Sequence, residues 1–387
     1  MSYVAEYDLP DNNLLHTSVI NLYDLRNNMI LCDTIRHLTY NDFGHIVRNG
    51  RSGTSGDMSF GYDGLNRLVT AEYSSNEGAW TEASTPELQS LIPMFHTNGD
   101  DYSEYFSYDR NGNLERIERY GTSDWGEGNG IDDLYLQYSG NRLMSVYENS
   151  VEPLTYTGAF DYQGYNGTFD YTYDGNGSLT SDDSKDISNI TYDHAGNPRA
   201  ISFYGQKSTE YVYTPDGSRQ RTLHARQTGN VTLRDSVDYM GSLVVRNGKP
   251  AVYRFNGGYC SFDGQGNVDG FHYYIQDYQG NVRMVVNTGT DAVEQVLHYY
   301  PYGGLMGDIS TSQGLQPYMY SGKELDRTYG LDLYDFHARQ QDPVIGRFTS
   351  PDPKSEDYYH VSPYAYCAGD SMNNVAPTRD SQPLRII

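Results

Sequence analysis

One short pattern recurs along the chain and restricts its fold more than any other feature. An aromatic or apolar residue, one spacer and a tyrosine lead into a polar turn rich in Gly and Asn, and an apolar-alternating tail follows. It reads LTYNDFGHIV from Leu38, FGYDGLNRLV from Phe60, FSYDRNGNLERI from Phe106 and LQYSGNRLMSV from Leu136. Further copies are YTYDGNGSLT from Tyr171, ITYDHAGNPRAI from Ile190 and YVYTPDGSRQR from Tyr211. The anchoring tyrosines are Tyr40, Tyr62, Tyr108, Tyr138, Tyr173, Tyr192 and Tyr213. Short spacings between them mark one unit; long ones carry an insertion or a decayed copy.

Each copy has a readable physics. Phe106 and Tyr108 lie two apart, so in a strand both rings point to one face. Asn111-Gly112-Asn113 suits left-handed turn conformations, and Leu114 begins the returning strand. The chain's 39 Tyr and 40 Gly, beside 2 Trp and 12 Phe, fit many short hairpins of this kind. A single hairpin is marginal in water, so neighbouring copies must stack and share a Tyr-rich face. No long helical pattern is present. The expected fold is all-β, a repetitive β-hairpin strip.

These units resemble the YD repeats of the RHS family, found in bacterial polymorphic toxins and, more distantly, in teneurins. The resemblance implies a long β-strip of the kind that spirals into a hollow shell, of which this length builds a part. From Tyr273 the wording becomes more specific: YYIQDYQGNVRMVVN, HYYPYGGL, YMYSGKELDRTYGLDLYDFHARQQDPVIGRFTSPDP and SPYAYCAGDSMNN. Together these resemble the RHS repeat-associated core in the form common in Bacteroidetes. The expected layout is a lead-in over 1–37, a YD-repeat strip over 38–272, the core over 273–379 and a short tail over 380–387. Within the core, Leu331, Leu333 and Asp335 alternate with Asp332, Tyr334 and Phe336 as in a strand. Pro343 and Gly346 form a turn into Arg347-Phe348, and the prolines of Ser350–Pro353 end any ladder.

In many RHS proteins the core is an aspartyl self-protease with two DPxG motifs, which releases a C-terminal domain inside the shell. Two close carboxyls repel, one pKa rises, and an acid and a base coexist. The first motif maps onto Asp352-Pro353-Lys354-Ser355, with Asp and Pro matching. The second maps onto Ala376-Pro377-Thr378-Arg379, where only Pro matches. Asp352 is the candidate catalytic residue, and its partner position is Ala376. A methyl group cannot share a proton; Asp370 and Asp380 are near in sequence, but no spacing supports either as a substitute. The core is therefore expected to be structural and degenerate, or the frame truncated, with no cargo domain after it.

Other signals exclude function classes. A formal net charge of -24 opposes electrostatic binding to nucleic acid or anionic membrane. Cys32, Cys260 and Cys367 form no CxxC, so neither a metal framework nor a disulfide scaffold is expected. No apolar run is long enough to span a membrane, and no signal peptide is visible in MSYVAEYDLP, so export would use another route or a signal lost with upstream sequence. DGNGSLTSDDSK from Asp174 has Leu179 and Lys185 where a calcium loop needs Gly and Glu, and DRNGNLERIERY from Asp109 fails likewise at Leu114 and Tyr120. His337 and His360 belong to no HxxxH pattern. No cofactor and no metal are expected.

Three readings follow. The preferred one is a non-enzymatic structural part of a polymorphic-toxin shell, secreted or at the bacterial surface, whose partners are other shell segments or an encapsulated toxin domain. The second is an active self-protease using Asp352. The third is a surface module recognising glycans or cell-surface proteins through aromatic residues, for which Trp80 and Trp125 are better candidates than the strip tyrosines.

Overall fold

The computed structural model describes the backbone of residues 3–8, 16–23, 29–40, 46–52, 57–74, 102–123, 126–150, 160–162, 167–290, 292–310, 316–357, 359–376 and 385–386, with side chains in most of these stretches between Met58 and Ala376. The copy at Tyr40 is thus seen as backbone alone, and Trp80 and Trp125 lie outside the described residues.

Twenty-four strands, from Tyr3–Asp8 to Leu305–Ser310, form one antiparallel sheet in which each strand pairs with the next in sequence. The all-β expectation is met. The sheet does not stop at residue 273, which falls inside strand Val268–Gln276; it runs on to Leu305–Ser310.

One local device repeats along it. At Asp109, carboxylate Oδ1 accepts the N–H groups of Asn111 and Asn113, both at 2.8 Å, while Oδ2 accepts Asn113 Nδ2. The backbone closes the same loop: Asp109 N–H donates to Asn113 O, and Gly112 N–H to Asp109 O. The same arrangement recurs at Asp63, Asp193, Asp263 and Asp277. The fourth turn residue must be left-handed, which favours glycine: Gly112 has φ 82, Gly177 φ 87 and Gly266 φ 90.

Each turn is preceded by a break in register at the anchor, for example between Ser107 and Tyr108, Thr191 and Tyr192, or Val212 and Tyr213. Such a bulge adds twist and bends the strand, so a repeated bulge curves the whole strip. The anchoring hydroxyls then stitch copy to copy. Tyr108 donates to Leu68 O, Tyr138 to Leu114 O and Tyr192 to Leu179 O. In each case the acceptor opens the return strand of the preceding copy.

Three copies beyond Tyr213 carry the same turn or bulge. They centre on Phe262-Asp263, Gln276-Asp277 and Tyr299-Tyr300, and Tyr299 donates to Val282 O as its counterparts do. Two of them lack the anchoring tyrosine, but DGQGN and DYQGN keep the bracketing Asp, Gly and Asn.

One face of this strip is covered. Along Gly167–Tyr173 and Lys207–Tyr213 buried residues alternate with exposed ones, and Tyr62, Tyr108, Tyr138, Tyr173, Tyr192 and Tyr213 pack against the main core. The covering layer is the chain from Gln316 to Ala376. Its strands Glu324–Asp326, Leu333–Asp335, Gln340–Asp342 and Arg347–Phe348 form a second, four-stranded sheet. The expected alternation over 331–336 fails here. Asp332 (φ 45) and His337 (φ 69) are left-handed and shorten the strand to Leu333–Asp335. Leu331, Leu333, Tyr334 and Phe336 are all buried, while Asp332 and Asp335 are half-buried and His337 is exposed, so burial follows residue type here and not strict alternation.

Candidate functional site at the junction of strip and core

Asp352 follows the strand Arg347–Phe348, in the proline loop where the ladder ends. Its N–H donates to Pro363 O, which fixes the loop against the chain returning from Ser362. Each carboxylate oxygen has a protein partner: Oδ1 accepts Lys354 N–H at 2.8 Å, and Oδ2 is paired with Arg339 Nη2 at 2.7 Å. Arg339 lies over the Phe348 ring at 3.6 Å. Burial pulls this guanidinium down to about 10, with Asp352 opposing that fall.

The partner position does not supply a second carboxyl. Ala376 is buried in the main core. Pro377, Thr378, Arg379 and Asp380 lie outside the described residues. Asp370 is also buried, and its Oδ1 accepts Asn373 N–H at 3.2 Å and Asn373 Nδ2 at 2.7 Å. Asn373 Nδ2 also reaches Tyr62 Oη, so this group seats the 370–374 turn on the strip. Among the described residues, the charged side chain paired with Asp352 is a guanidinium, a donor with no lone pair to take a proton. An acid–base pair needs two groups that exchange one.

Strip and core are joined elsewhere by a dense clamp. Tyr364 donates to Gly177 O, Tyr278 to Met372 O and Gln279 Nε2 to Ser371 O. Arg347 lies between the Tyr138 and Tyr364 rings, 5.1 and 4.8 Å from their centroids. Tyr239 donates to Glu324 Oε1 at 2.6 Å, and Arg219 pairs with Glu324 and Asp335.

A buried charge cluster ties this clamp to the wall. Arg119, 1% exposed, pairs with Glu104 and Asp132, and its Nη2 donates to Val344 O in the core at 2.7 Å. Burial opposes the charge on Arg119, yet the Glu104 and Asp132 carboxylates outweigh it and hold the guanidinium above its ordinary range. Burial pushes Glu104 up to about 7 against the pull of Arg119. Burial and the Asp132 carboxylate push Glu148 up to about 8. Sequence periodicity pointed to none of these: Arg119 and Val344 lie 225 residues apart, and no local signal connects them.

No protein-family model matches the chain. It is 26% identical over 312 residues to toxin subunit YenC1 of Yersinia entomophaga, an alignment covering 76% of this chain and 30% of that protein. A segment of 108 residues is 32% identical to salivary gland surface protein 1 of Aedes aegypti, covering 28% of this chain and 3% of that one. Among solved structures, TcdB2-TccC3-Cdc42 superposes with a TM-score of 0.56 at 15% identity, over 94% of this chain and 18% of that chain. TcdB2-TccC3 without its hypervariable C-terminal region gives 0.54 at 15% identity, over 97% of this chain and 19% of that one. The antiparallel strip is therefore the fold of these toxin chains. This chain spans less than a third of each of them.

Proposed function

We propose that this chain is a wall-and-core segment of a secreted toxin-delivery shell, and that its core is structural and does not cleave itself. The observation that carries this reading is the surroundings of Asp352. Among the described residues, the carboxylate is held by Arg339 and by the Lys354 amide, neither of which shares a proton with it, and Ala376 stands at the motif position where a second acid belongs. The same contacts favour a structural role for the core, since it supplies the apolar and hydrogen-bonding partners of one strip tyrosine after another. Toxin subunit YenC1 and the TcdB2-TccC3 assemblies support partners of the same kind: further shell segments and toxin components. Among the described residues no helix is long and apolar enough to cross a membrane.

Intact mass tests the proposal. The purified chain and Asp352→Asn are expected to keep their full masses through days at 25 °C. Loss of a C-terminal segment from the wild type but not from Asp352→Asn would refute the structural reading.

A further inference from the structure

A second constellation lies on neighbouring wall strands, away from Asp352. Ser261 belongs to strand Gly258–Phe262, His272 to Val268–Gln276 and Glu294 to Ala292–Tyr299. The side chains stand in line. Ser261 Oγ is 2.9 Å from His272 Nε2, and His272 Nδ1 is 2.5 Å from Glu294 Oε2. With a carboxylate at Nδ1, a neutral imidazole carries its proton there, and Nε2 is left to accept the Ser261 hydroxyl.

The parts around this line restrain it. Asn287 Nδ2 donates to the other Glu294 oxygen at 2.9 Å. The Tyr259 ring stacks on the imidazole with centroids 4.3 Å apart and planes 8° from parallel. Ser261 and His272 are each 4% exposed, so their hydrogen bonds work in a largely dry setting. Directly across from Ser261 is Gly270, which is only half-buried. A Cβ there would stand 3.1 Å from His272 Nε2, so glycine keeps the backbone opposite Ser261 clear of the imidazole edge that carries Nε2.

We propose that Ser261, His272 and Glu294 form a nucleophile, base and positioning acid able to cleave small acyl esters. Ser261 Oγ adds to the ester carbonyl carbon while its proton passes to His272 Nε2. The tetrahedral adduct expels the alcohol, which leaves with that proton. Water then repeats the sequence on the acyl-serine and releases the carboxylic acid. Glu294 holds the imidazole in the required tautomer and steadies the imidazolium. With Ser261 and His272 each 4% exposed, only short acyl groups are expected to reach the hydroxyl.

The wall contains its own comparison. On the paired strands Lys207–Tyr213 and Arg219–Thr228, Thr209 Oγ1 is 2.9 Å from His224 Nδ1, but the other nitrogen, Nε2, faces the Thr328 hydroxyl at 3.4 Å. That arrangement ties strands together without a carboxylate on the ring, and Thr209 is expected to be inert.

The test is site-localised labelling of the full chain with a small fluorophosphonate, in which an Oγ–P bond forms and fluoride leaves. The adduct is expected on Ser261 and not on Thr209, with hydrolysis of p-nitrophenyl acetate lost in Ser261→Ala. His272→Gln should lower labelling by at least a hundredfold. Glu294→Gln should lower it and shift its pH midpoint down, a change that a merely structural residue would not produce. Gly270→Ala, whose added Cβ would stand 3.1 Å from His272 Nε2, should block labelling while leaving the circular dichroism spectrum unchanged. Absence of an adduct on Ser261 in folded wild-type protein would overturn the proposal, as would equal labelling in His272→Gln.

Discussion

Gly303 and Gly140 separate two roles of one residue type. Both have positive φ, 95 and 63, but a Cβ on Gly303 would come within 2.7 Å of the Tyr320 ring while one on Gly140 meets nothing. Gly140→Ala should lose about 1 kcal/mol from backbone strain alone. Gly303→Ala should lose about 3 kcal/mol, because Tyr320 sits in the core and cannot move aside. Urea midpoints with unchanged slopes would check the pair. Glu104 sets a pH dependence at this same scale. Its folded pKa of about 7 stands above the ordinary 4.5, so the folded state holds a proton that the unfolded state has lost between those values. The contribution is present below pH 4.5 and disappears as pH rises toward 7. Glu104→Gln removes that loss; from pH 5 to pH 8 it should gain a few kcal/mol on the wild type, read from urea unfolding at each pH. A constant difference between the two proteins would contradict the assignment.

The repeating element is a bulge, an Asp-bracketed turn and a tyrosine hydroxyl that reaches the preceding copy. Asp109→Ala deletes three acceptor contacts in one turn, and about 2 kcal/mol of stability should go with them; Asp109→Asn, which keeps Oδ1, should lose less. Much of this element was legible. The same-face placement of Phe106 and Tyr108 and the turn chemistry of Asn111-Gly112-Asn113 are local, and local rules gave them. The copies at Asp263 and Asp277 were missed because Phe262 and Gln276 stand where a tyrosine search looks. The Asp-x-x-Gly-Asn turn would have found both. The strand expected over 331–336 failed for the opposite reason. Alternation presumes one wet face, but Tyr334 and Phe336 are buried along with Leu331 and Leu333.

At the scale of the molecule, the strip turns back on itself around the core. Tyr300 donates to Tyr120 O, the Phe106 and Tyr302 rings meet edge to face at 5.3 Å, and Phe160 N–H donates to Leu305 O. Strands far apart in sequence therefore share one interior, and the Gln316–Ala376 layer fills it. None of this is readable from a single repeat, since it rests on contacts between distant residues such as Asn373 and Tyr62. It follows that wall and core should open together. Native-state hydrogen exchange tests this directly at Leu179, whose N–H donates to Thr349 O, at Val282, bonded to Met319 O, and at Phe348, bonded to Tyr364 O. These amides are expected to exchange only through the same global opening as the wall amide of Ile117. Exchange at Phe348 and Leu179 orders of magnitude faster than at Ile117, with the wall still protected, would mean that the core is a separate unit lodged against the strip and would contradict the account.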